Sequence, residues 1–121
     1  MKAQGKTNHM FGLVSEDAAL REYEARGGRL LARRARNAAG EIDLIIALGD
    51  LIVFAEVKAS KSLEAATRAL SAKQIARIGA AAEVWLADNA YPATQDMRFD
   101  LVVSDRSGHI EVLENALSFD I

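Results

Sequence analysis

Asp43, Glu56, Glu41 and Lys58 stand inside two runs of β-prone apolar residues, at positions where a strand should carry core. Two carboxylates facing each other on a sheet repel, by about 1 kcal/mol at ~4 Å in water and about 4 kcal/mol near a protein surface. A divalent cation between them turns that repulsion into attraction. A lysine two residues after the Glu, on the same face, completes the parts for hydrolysing a phosphodiester. The metal polarises the phosphate and acidifies its bound water, and the ammonium orients that water or neutralises developing charge.

Those side chains depend on a hairpin to meet. The two runs join at Gly49-Asp50, a pair suited to a two-residue type II′ loop with Gly at φ > 0. Counting outward from Leu48 opposite Leu51 sets Ile45 against Phe54, Asp43 against Glu56 and Glu41 against Lys58. Period-2 alternation places the four charges on one side at the open end, and leaves Ile42, Leu44 and Ile46 on a wholly apolar other face.

The spacing of Asp43 and, thirteen positions on, Glu56-Val57-Lys58 resembles the PD-(D/E)xK nuclease superfamily, with Ile42 in place of the proline. The ordered set of Gly40-Glu41-Ile42-Asp43-Leu44-Ile45, Val53-Phe54-Ala55-Glu56-Val57-Lys58, Lys73-Gln74 and Arg98-Phe99-Asp100 resembles more narrowly the bacterial YraN family, also called uncharacterised protein family 0102. The likeness covers roughly residues 12 to 117. It implies a restriction-endonuclease-like or Holliday-junction-resolvase-like core. It further implies Asp43 and Glu56 as ligands of Mg2+ or Mn2+, with Glu16 from the first helix as a conditional third. Val57 would add a carbonyl, Glu41 a supporting contact or a second ligand, and Lys58 the water-orienting role. Gln74 would stand beside the scissile phosphate.

The 121 residues make one domain, half of them apolar and about a quarter charged, as in globular proteins. The absence of cysteine removes disulfides and thiolate metal sites and fits a reducing, cytoplasmic setting. Neither a signal peptide nor a membrane span is expected. The net charge of −2 hides an asymmetry: 13 Lys and Arg against 9 Asp and Glu in residues 1–80, but 2 against 8 in residues 81–121. Arg26, Arg29, Arg33, Arg34 and Arg36 either line a phosphate-binding surface or discourage edge-to-edge aggregation of a strand.

The chain in order predicts α-β-β-β-α-β-β with a mixed central sheet flanked by helices. Residues 1–11 read as a disordered tail whose His9 faces solvent, and residues 12–121 as the single domain. Ser15 caps a helix from Glu16 to about Arg26, ended by Gly27-Gly28. On this reading Glu16 either approaches a metal or complements the helix dipole. Residues 29–36 form a strand and 37–40 a turn.

After Lys58, a short helical piece from Leu63 to Leu70 precedes a helix from Ala72 to Asp88, whose Ile75, Ile78, Ala82, Trp85 and Leu86 keep a core-facing 3.6 period. Gln74 is divided between substrate and a capping box with Ser71. Strands follow at 97–104 and 109–113, with Arg98 and Asp100 opposite Phe99.

The expected activity is thus a metal-dependent endonuclease-like phosphodiesterase acting on DNA or structured nucleic acid. The alternative is a nucleic-acid-binding or assembly module that keeps the fold with little turnover. A purely structural ion network, with Glu41 on Lys58 and an arginine on Asp43, is the remaining reading. Nucleic acid, DNA before RNA, is the expected partner, without a membrane; homodimerisation is left open.

Overall fold

A computed structural model describes the backbone of residues 2–105 and 107–117, and side chains from residue 14 onward within those spans. Its elements are α1 (Lys2–Ala25), β1 (Arg29–Asn37), β2 (Gly40–Leu48), β3 (Leu51–Ala59), α2 (Leu63–Arg68), α3 (Ala72–Asp88), β4 (Met97–Ser104) and β5 (Ile110–Leu113). The strands form one sheet in the order β1-β2-β3-β4-β5, parallel between β3 and β4 and antiparallel elsewhere. A parallel pair needs a long crossover, which α2 and α3 provide. This is the expected mixed α/β architecture. Among the described residues no helix is long and apolar enough to cross a membrane.

The β2–β3 turn forms as its sequence requires. Leu48 pairs with Leu51, and Gly49 takes φ +62, the left-handed value that glycine adopts without a Cβ penalty. The expected cap at Ser15 is overturned: α1 is continuous from Lys2, so Ser15 lies inside it, and it is buried with Glu16 against the sheet. Of the stretch 1–11 read as a tail, residues 2–11 fall in the first part of α1; Met1 and the side chains of the stretch, His9 included, lie outside the described residues. The helix ends as expected at Gly27, whose φ of +91 completes a Schellman closure. Gly28 N–H donates to the Tyr23 carbonyl at 2.8 Å and Gly27 N–H to that of Glu24 at 3.0 Å.

Each face of the sheet has its own core. On one, Ile45, Phe54, Phe99 and Leu101 meet Ile78 and Leu86 of α3. Phe54 stacks on Phe99 at 5.3 Å and meets the edge of Trp85 at 6.1 Å, so Trp85 packs as core. On the other, Leu44, Val53, Ala55 and Val102 meet Ala19 and Tyr23 of α1. Phe54 between Val53 and Ala55 shows the alternation of a strand covered on both sides.

One carboxylate lies inside the α1 layer. Asp100 is fully buried and accepts from Arg98 Nε and Nη2 at 2.9 Å each, from the Tyr23 hydroxyl at 2.8 Å and from Asn115 N–H at 2.8 Å. Arg98 also reaches Glu114 at 3.4 Å. Burial, then the Asp100 charge and hydrogen bond, hold the Tyr23 phenol above its ordinary pKa range, so it remains a donor. The Arg98–Asp100 pair is therefore structural, tying β4 to α1 and to the segment after β5.

Removing one partner of such a pair strands the other without its bonds. Asp100→Ala should cost about 3–5 kcal/mol. Tyr23→Phe, which leaves Asp100 three donors, should cost about 1–2 kcal/mol. Urea denaturation of both variants checks the order, and equal losses would contradict it.

Candidate active site

The hairpin ladder is regular from its turn out to Leu44 opposite Ala55, and there it stops. Beyond that pair β3 stays in register with β4, with Glu56 against Leu101 and Lys58 against Val103, while β2 parts from it. The Val57 N–H then has no β2 carbonyl to receive it. It donates instead to Asp43 Oδ2 at 2.8 Å. β1 and β2 shift register between Leu30 and Ala32 and then keep one register from Ala32 opposite Ile45 to Asn37 opposite Gly40; within it Arg34, at the level of Asp43, takes φ +51. The expected register opposite Glu56 therefore ends one residue early. Ile42 leaves the face it was expected to share with Leu44 and joins the core under α3.

Asp43 and Glu56 nevertheless come together. Burial pushes the Glu56 carboxyl up to about 9, reinforced by a side-chain hydrogen bond with Asp43 and by the Asp43 charge; Lys58 opposes the shift and Glu41 adds to it. The direction favours the neutral form of the Glu56 carboxyl next to the Asp43 carboxylate. All four expected residues act on one another, yet the Glu41–Lys58 contact is not formed. Glu41 accepts from Arg36 Nη2 at 2.9 Å instead, because Arg36 is its direct partner in the β1–β2 ladder. Lys58 makes no ion pair among the described residues, and its charge is felt at Glu56.

Glu16 stands in a different arrangement from the expected third ligand. It is buried in α1 and accepts from Arg33 Nε at 3.2 Å and from Arg34 Nε and Nη2 at 3.0 Å each. Consecutive strand residues normally point to opposite faces; the left-handed backbone at Arg34 brings both guanidinium groups to one carboxylate. The hydrogen bonds to Glu16 hold Arg34 further above its ordinary pKa, opposed by burial and helped by the charges of Glu16, Asp43 and Glu41. Arg34 thus lies between Glu16 and the hairpin acids. The sequence reading missed this cluster; its one trace is a basic pair at Arg33-Arg34 within an otherwise alternating strand.

Gln74 stands in the capping box of α3: its Oε1 accepts from Ser71 N–H at 3.1 Å while its own N–H donates to Ser71 Oγ at 3.1 Å. The amide is committed to the helix end, so the substrate role drawn from the resemblance gains no geometric support. The arginine-rich strand is an edge strand, and Arg26, Arg33, Arg34 and Arg36 are all ion-paired to carboxylates. That tempers the broad phosphate-binding surface read from composition.

Among the described residues no group of three or more His, Asp or Glu side chains is close enough to hold a metal. The donor set that remains is Asp43 and Glu56. Its chemistry suits Mg2+, which keeps several waters and takes only one or two protein carboxylates.

The Glu56 shift fixes a sign. Unfolded, this carboxyl titrates near 4.5, and in the fold near 9. Between those values the folded protein holds the extra proton, so stability is intact below the lower pH and is lost as pH rises toward the upper one. Glu56→Gln should match the wild type near the acid end and melt at higher temperature near the alkaline end. Thermal melts of both proteins in EDTA across this range test it; parallel curves would remove the buried proton from the site.

The model of the family described as uncharacterised protein family UPF0102 matches residues 15–103, which include both carboxylates, Lys58 and the capping box. A UPF0102 protein of Ruegeria pomeroyi is 42% identical over 116 residues, covering 96% of this chain and 94% of its own. One from Azorhizobium caulinodans is 46% identical over 112 residues, covering 93% and 86%. One from Cereibacter sphaeroides is 44% identical over 114 residues, covering 94% and 97%. With a family model spanning most of the chain and relatives alike over nearly their whole length, the chain belongs to the UPF0102 family.

Proposed function

We propose that the chain is a metal-dependent phosphodiesterase of the endonuclease kind, acting on DNA or a structured nucleic acid. The observation that carries this reading is the meeting of Asp43 and Glu56 where β2 leaves β3, with Lys58 on the same strand as Glu56. A half-buried acid pair with no ion pair to a cation among the described residues is costly unless it holds a proton or a cation. Asp43 and Glu56 would hold the ion, Mg2+ or Mn2+, which when bound would polarise the phosphate and acidify a water.

The chain's own part is positional. The Val57 N–H fixes the Asp43 carboxylate, and β4 fixes the strand that carries Glu56 and Lys58. Glu56 must release its proton as the ion enters. Lys58, free of any ion pair among the described residues, orients the attacking water or neutralises charge on the phosphate. Glu41 shapes the field at Glu56 while bound to Arg36.

The second reading is a nucleic-acid-binding or assembly module with little turnover. Two points favour it: no group of three or more His, Asp or Glu side chains forms a metal site among the described residues, and burial with the Asp43 charge raises the Glu56 carboxyl toward its neutral form. Cleavage of branched, flapped, single-stranded and linear DNA and of RNA, each with Mg2+, Mn2+ or EDTA, separates the two readings. On the nuclease reading Lys58→Ala folds normally and loses about two orders of magnitude in cleavage rate. Wild type at a metal concentration tenfold above its dissociation constant gains about 1.4 kcal/mol of stability, and Glu56→Gln gains none. Binding without cleavage in any metal would favour the module, and full activity of Lys58→Ala would remove the role given to that residue.

A further inference from the structure

The β1–β2 turn is clamped onto α3. Asn37 joins the two: its Oδ1 accepts from Ala39 N–H at 2.9 Å, shaping the turn, and its Nδ2 donates to the Ala81 carbonyl of α3 at 3.0 Å. Gly40 then runs so close to the helix that a Cβ there would stand 3.4 Å from the Arg77 carbonyl oxygen. Between turn and helix lies an open cleft of about 370 Å³, whose charged lining is Arg36, Arg77 and Glu41. The rest of its wall is turn backbone with the small residues Ala38, Ala39 and Gly40.

The charge balance leaves this cleft positive. Arg36 is bonded to Glu41 at 2.9 Å, but its side chain is 80% exposed, so water screens the pair and leaves it weak. Arg77 is exposed on α3 and makes no ion pair among the described residues. Two guanidinium groups with small neighbours suit an anion that offers two acceptor oxygens, such as the non-bridging pair of a phosphodiester. Small-molecule pockets enclose most of their ligand; this cleft is open, as a passing strand requires. Glu41 lines the cleft and stands two residues before Asp43 on β2, so the cleft lies at the same end of the strand as the carboxylate pair.

We propose that the cleft between the β1–β2 turn and α3 is a phosphate subsite, in which Arg77 and Arg36 hold a phosphodiester of a nucleic-acid strand next to the one presented to Asp43 and Glu56. This rests on the reading of the site as acting on nucleic acid. Arg36 exchanges Glu41 for the phosphate when the strand arrives, whereas Arg77 has no partner to give up. The Asn37 bonds hold the turn against α3, so the strands that carry Arg36 and Glu41 and the helix that carries Arg77 keep their spacing as the nucleic acid arrives.

Fluorescence anisotropy with labelled single-stranded and duplex DNA in EDTA, from low to physiological salt, tests the subsite without cleavage. Arg77→Ala should weaken binding several-fold at low salt. It should also flatten the slope of log affinity against log salt by about 0.9 on duplex or about 0.7 on single strands, the signature of one lost phosphate contact. Arg36→Ala with Arg77→Ala should flatten it about twice as much. Arg77→Lys should restore most of the slope. Arg68→Ala, a residue paired with Glu64 that does not line the cleft, should leave it unchanged. Wild-type binding with an unaltered slope in both arginine variants overturns the subsite and leaves the nucleic-acid reading standing. No binding by wild type to any form at low salt overturns both.

Discussion

A backbone N–H inside a sheet has to find an acceptor, and when β2 turns away from β3 the Val57 N–H loses its own. Asp43 supplies the replacement at 2.8 Å. That bond draws a carboxylate to the point of divergence, where the next residue back along β3 is Glu56. The candidate site is therefore shaped by strand parting: where the ladder ends, Asp43 turns its carboxylate to the β3 backbone beside Glu56. The parallel pairing with β4 keeps Glu56, Val57 and Lys58 straight while β2 departs, so only one wall of the site is free to deviate.

Three largely buried acidic positions show what distinguishes structure from candidate chemistry. Asp100 accepts four hydrogen bonds, two from a guanidinium, and ties β4 to α1. Glu16 accepts from two arginines and pins β1 beneath the same helix. Glu56 has no cation bonded to it among the described residues; its stabilising partner is another acid, and its carboxyl is pushed up to about 9. Fully paired buried charges specify a fold. A buried acid left to share a proton retains unused binding capacity, and that is where an ion or a substrate has most to gain.

The elements themselves were readable because each was signalled locally. Gly49-Asp50 fixed the hairpin through one residue able to take φ > 0, Gly27 closed α1, and Ser71-Ala72-Lys73-Gln74 marked the start of α3 through a reciprocal cap. Alternation along β3 and β4 correctly separated Phe54 and Phe99 from Val53, Ala55 and Asp100. Ser15 misled for the converse reason: a serine before an apolar stripe is a cap only if the helix begins there, and α1 runs through it.

The identity and order of Asp43, Glu56 and Lys58, and the hairpin that brings them to one level, were determined by the sequence, because hydrogen-bond periodicity along a strand is a local property. Which partners those charges take was decided by the tertiary structure. Glu41 went to Arg36 and Glu16 to Arg33 and Arg34, leaving Asp43 and Glu56 to each other. Competition among charges for counter-charges depends on distances of a few ångströms between elements far apart in the chain, and on how much water each site retains. Neither is written in residue spacing, and both follow only once β1, β2 and α1 are packed together.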